Sequence, residues 1–81
     1  MVEVVRYELS FIDKPYVVKT YDCPGLDKLC RHFWNEEVFE VIEIDEYETE
    51  FRFETLFMQQ SFETLVQKYL NDEYDQLLEE L

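Results

Sequence analysis

The chain begins in alternation. Across residues 2–12, Val5, Tyr7, Leu9 and Phe11 fall on one side, and Arg6, Glu8 and Ser10 on the other. That is the period of a half-buried β-strand. Asp13-Lys14-Pro15 ends it as a turn, because proline locks φ and donates no backbone hydrogen bond. Residues 16–21, YVVKTY, are β-branched and aromatic and read as the second arm of a hairpin. The period then changes. DCPG at 22–25 stops the strand, with Pro24 suited to a first helical position and Asp22 or Cys23 to the cap. Leu26, Leu29, Cys30, Phe33 and Trp34 recur at helical spacing and predict a helix to about Asn35.

Period two returns, but its parity shifts. Val38, Ile42 and Ile44 are even, whereas Tyr47, Thr49, Phe51, Phe53, Thr55 and Phe57 are odd. One unbroken strand would send the two sets to opposite faces. Two strands joined near Asp45-Glu46 reunite them, so a hairpin is expected, with a bulge as the alternative. Its second arm would turn the aromatics inward and Glu48, Glu50, Arg52 and Glu54 outward. Ser61 is suited to cap the last helix, with Glu63 in the first turn. Phe62, Leu65, Val66, Tyr69 and Leu70 form one stripe, and Tyr74, Leu77, Leu78 and Leu81 a second, rotated from it by roughly 90°. The offset predicts a kink or split at 71–72, with Asn71-Asp72 capping a new segment. Residues 72–81 then form a helical arm. The order is ββαββα: one α+β domain over 1–81, with a mainly antiparallel sheet and helices on one face.

Composition supports a packed fold. At 81 residues, 47% hydrophobic and 17% aromatic, the chain reads as a single domain with a modest core. Charge changes the picture more. Residues 1–35 balance five acids against five bases, whereas residues 36–81 hold fifteen acids, with only Arg52 and Lys68 opposing them. The whole net charge of −13 therefore sits in the second part of the chain. Such a field repels nucleic acid and anionic lipid and attracts basic protein surfaces. No apolar stretch approaches the ~20 residues a bilayer needs. Met1-Val2-Glu3-Val4-Val5-Arg6 lacks a basic start followed by an apolar run, so the expectation is a cytoplasmic protein with reduced Cys23 and Cys30.

The residues needed for common chemistries are scarce. His32 is the only histidine, and serine occurs only at Ser10 and Ser61, so no Ser-His-Asp arrangement suggests itself. Cys23, Cys30 and His32 match no closed zinc spacing, and Cys30 falls on the apolar helix face. The acids at 43–50 lack the central glycine of a calcium loop, since Gly25 is the only glycine. That scarcity also argues against a phosphate-cradling loop. The expectation is no enzyme, no cofactor and no metal.

What remains is an array of carboxylates. Glu40, Glu43, Asp45, Glu46, Glu48, Glu50 and Glu54 on two neighbouring strands would space anions on a scale comparable to a duplex, which carries one charge per ~1.7 Å of axis. Asp72, Glu73 and Asp75 extend the set. In size, charge and α+β layout the chain resembles the small acidic DNA-mimic inhibitors of phages and mobile elements. These are uracil-DNA glycosylase inhibitors, anti-restriction proteins and some anti-CRISPR proteins. The resemblance implies stoichiometric, non-catalytic occupation of a basic nucleic-acid-binding groove on a target protein. The alternative is a general interaction or adaptor module, or a homodimer through Tyr74, Leu77, Leu78 and Leu81. The plainer reading of the carboxylates is a solvated face that only keeps a small protein dissolved and guards sheet edges.

Overall fold

A computed structural model of the protein describes residues 2–5 and 13–81. Strands β1 (Val2–Val5) and β2 (Tyr16–Tyr21) are followed by helix α1 (Leu26–Phe33). A second pair, β3 (Phe39–Glu43) and β4 (Glu48–Phe53), leads into helices α2 (Leu56–Leu70) and α3 (Asp75–Glu80). The four strands form one antiparallel sheet in the order β1-β2-β4-β3. The α+β class, the order and the break after residue 70 are as the pattern predicts. The 6–12 part of the first predicted strand lies outside the described residues.

Register sorts the side chains. Phe39 pairs with Phe53, Phe53 with Tyr16, and Val41 with Phe51, which pairs with Val18. Paired residues share a face, so Val18, Phe39, Phe51 and Phe53 converge in the core with Leu26, Leu29, Cys30, Phe62, Leu65 and Val66. The Phe62 ring lies 4.6 Å from that of Phe51 and 5.1 Å from that of Phe53, binding α2 to the sheet. Gln59, fully buried, donates from Nε2 to the Val17 carbonyl at 3.0 Å. A buried amide with a partner avoids the cost of an orphaned one.

Several expectations are corrected. In β3 the inward residues are Phe39 and Val41; Ile42 lies on the outer face, and Ile44, beyond the strand, is exposed. Of the even set, Val38 packs against the core as expected, whereas Ile42 and Ile44 do not, because the three residues between Ile44 and Glu48 restore the parity that a two-residue turn would reverse. The second arm ends at Phe53. Thr55 is the N-cap of α2, accepting at Oγ1 from the Met58 N–H at 3.2 Å, so Ser61 lies inside the helix and caps nothing. Phe57 is thereby on a helix and 74% exposed, and Tyr47 is in the turn and 58% exposed. The N-cap of α1 is Gly25 at φ 82°, with no side-chain cap from Asp22 or Cys23, and Pro24 precedes the helix. The N-cap of α3 is Tyr74, one turn later than Asn71-Asp72. Asp72 at φ 61° instead reverses the chain between the two helices.

That reversal decides where the last stripe goes. Tyr74, Leu77 and Leu78 pack against the domain's own core. The Tyr74 ring lies 5.6 Å from Phe33, and Tyr69 Oη donates to the Pro24 carbonyl at 2.7 Å. Residues 72–81 are therefore not a detached arm. Only Leu81 of the stripe is substantially exposed.

Candidate protein-binding surface

The predicted carboxylates do not share one plane. On the outer sheet face stand Glu40, Glu48 and Glu50, and two cations stand among them: Glu40 pairs across strands with Arg52, and Glu50 with Lys19. Glu50 is only 9% exposed, and its Oε2 lies 2.9 Å from Arg52 Nη2. The face is charge-mixed, and one of its acids is buried and compensated. Glu43 has the opposite parity and stands on the helix side.

The uncompensated charge moves instead to the rim. Ile44 to Tyr47 close the β3–β4 hairpin. There the Asp45 carboxylate accepts from the N–H groups of Glu48 at 2.7 Å and Tyr47 at 2.8 Å. These two donors, Glu48 foremost, hold the Asp45 carboxyl below its ordinary range, so it is firmly ionised at neutral pH. The Ile44 N–H donates to the Glu48 carbonyl at 3.0 Å, and the Asp22 N–H to the Tyr47 carbonyl at 2.8 Å. The second bond ties the hairpin tip to the end of β2. Tyr21 and Tyr47 face each other at 6.1 Å.

This tie brings in acids that the charge pattern did not single out. Asp22 and Asp27, from the charge-balanced residues 1–35, join Glu43 and Glu46 around a cleft of 180 Å³, with Cys23 and Gly25 in its wall. Asp27 is paired with Arg31 at 2.7 Å. Among the described residues, Asp22, Glu43, Asp45 and Glu46 have no ion-pair partner. Their convergence depends on a non-local hydrogen bond and on the left-handed backbone at Asp22 (φ 56°) and Gly25, neither of which leaves a mark in charge spacing. Two of the exposed large apolar side chains, Ile44 and Tyr47, stand at the same tip.

The remaining predicted acids lie elsewhere. Glu54 follows β4 and is exposed, Asp72 and Glu73 occupy the turn after α2, and Asp75 begins α3. Burial, with the nearby Cys23, Asp22 and Asp75 adding to it, pushes the Tyr69 hydroxyl up. His32 is exposed on α1, its ring against Phe33 at 4.9 Å. Ser10 lies outside the described residues. Burial holds the Cys30 thiol protonated, pushing it far above its ordinary range. No three His, Cys, Asp or Glu side chains among the described residues are grouped to hold a metal ion. No described helix is long and apolar enough to cross a membrane. No protein-family model, curated protein or solved structure matches the chain.

Proposed function

We propose that this chain is a non-enzymatic binding protein that lays its acidic rim into the basic nucleic-acid-binding groove of another protein and blocks it. The observation that carries the reading is the acidic end of the sheet. Asp22, Glu43, Asp45 and Glu46 converge there from separate segments, with no cation among the described residues paired to them. Backbone hydrogen bonds hold that end in place. Fixed anions without counter-charges attract a groove built for phosphates, and a pre-ordered surface loses little entropy on docking.

The charge-mixed outer face changes the emphasis. The anions most available to a partner are those of the rim and of the turn after α2, rather than those of the sheet plane. The alternative, a homodimer through the last apolar stripe, has less to use, because Tyr74, Leu77 and Leu78 are partly buried against the core.

The test is capture of partners by the immobilised protein, followed by elution in a salt gradient and competition with duplex DNA. The reading expects a nucleic-acid-binding protein that leaves at moderate salt and is displaced by DNA. It also expects Asp22→Asn, Glu43→Gln and Glu46→Gln together to weaken that capture by about tenfold or more, with the fold intact. A partner that resists salt and ignores DNA would overturn it.

A further inference from the structure

The sheet has an edge with which no described strand pairs. β3 is last in the order β1-β2-β4-β3, and its main packing partner is β4. The phase of its backbone can be read directly. Ile44 N–H donates to Glu48, and Glu54 N–H donates to Val38. In an antiparallel pair, hydrogen-bonding residues alternate with outward-turned ones. Val38, Glu40, Ile42 and Ile44 therefore spend their backbone groups on β4. Phe39, Val41 and Glu43 turn their N–H and C=O groups outward, a row ready to pair with another strand.

The side chains along this edge say what kind of strand. Apolar and acidic residues interleave: Val41 and Ile42 are half-buried and Ile44 is exposed, beside Glu40, Glu43 and Glu46, all exposed. An incoming segment would bury the apolar members against its own, and would meet the carboxylates with cations. A second copy would bring more carboxylate to a chain already at −13. Such acids are a device against self-pairing. The same acids favour an occupant of opposite charge.

We infer that the β3 edge is a docking site for an extended, lysine- or arginine-bearing segment of a partner protein, which adds to the sheet as a fifth strand. Only the positive charge of the partner rests on the groove-blocking reading; the pairing rests on the edge itself.

A defined probe tests it: a synthetic peptide of alternating lysine and valine, beside the same peptide N-methylated on its pairing edge. Amide hydrogen exchange of the isotopically labelled protein is the readout. The expected result is slowing of the Phe39, Val41 and Glu43 amides by about tenfold or more with the first peptide and not with the second. Val41→Pro removes an outward N–H that β4 does not use, a position where an edge strand tolerates proline. It should abolish the slowing while the thermal transition survives. Should Val41→Pro fail to fold, the N-methylated peptide still decides.

If both peptides perturb carboxylates across the surface and leave the three amides unprotected, edge pairing is wrong and the charge-driven reading stands. No binding at low salt would likewise overturn the inference. Equal protection by an alternating serine–valine peptide would overturn the basic character of the partner. DNA competition on a captured protein is a separate measurement, so loss of the groove reading would be seen independently.

Discussion

At the scale of single residues, backbone conformation does more than side-chain identity suggests. Gly25 sits at φ 82°, and a Cβ there would lie 2.8 Å from Leu78 Cδ2. Glycine at this position allows both the left-handed entry to α1 and the close seat of α3. Asp45 shows the complementary effect, a side chain that holds backbone. Two N–H donors depress its titration, so the sign follows from linkage. A depressed carboxylate contributes stability that is present above its unfolded-state value and is lost as pH falls through its folded-state value. The hairpin tip should therefore hold through mildly acidic solution and loosen only below the usual carboxylate range. Amide chemical shifts of Tyr47 and Glu48, followed in an acid titration, check this. A midpoint at or above the ordinary aspartate value would contradict it.

At the scale of elements, the start of α2 separates pattern from structure. Residues 55–60 carry Thr55, Leu56, Phe57 and Met58, a run that continues the preceding strand's alternation as easily as it begins a helix. Thr55 resolves the ambiguity by taking extended backbone (φ −130°) and receiving the Met58 N–H, which closes the first turn. Thr55→Ala should lower stability by about 1 kcal/mol. That is a fall of ~4–8 °C in the melting midpoint of a domain this size. Ser61→Ala, inside the helix, should stay within about 0.5 kcal/mol. Thermal unfolding of the two variants compares them, and a larger loss at Ser61 would mean that the helix begins later than described.

At the scale of the whole molecule, the excess of anions is a force on the fold as well as a lure for partners. With −13 on 81 residues, like charges repel across the rim and the turn after α2. Salt should relieve this. Raising ionic strength from about 0.01 M to about 1 M shortens the screening length from ~30 Å to ~3 Å. The melting midpoint should rise across that range, while capture of a basic partner weakens. A midpoint that falls with added sodium chloride would mean that ion pairs such as Glu50–Arg52 outweigh the repulsion.

The alternation of YVVKTY, the helical spacing of Leu26, Leu29 and Cys30, and the offset between the two C-terminal stripes are local facts. Local periodicity was enough to specify the class, the order of elements and the break after residue 70, because each depends on near neighbours in the chain. Net charge and its confinement to residues 36–81 were equally legible. The disposition of that charge was not. Glu50 disappears beside Arg52 because β4 is a central strand, and centrality is a matter of sheet order. Glu43 changes face because a three-residue turn, not a two-residue one, sets the register. Asp22 joins the rim because one hydrogen bond links residues far apart in sequence, and the last stripe turns inward to pack on the core beyond the left-handed backbone of Asp72. Register, strand order and chain reversal are properties of pairs of distant segments. Tertiary packing alone decides them, and with them which carboxylates a partner can reach.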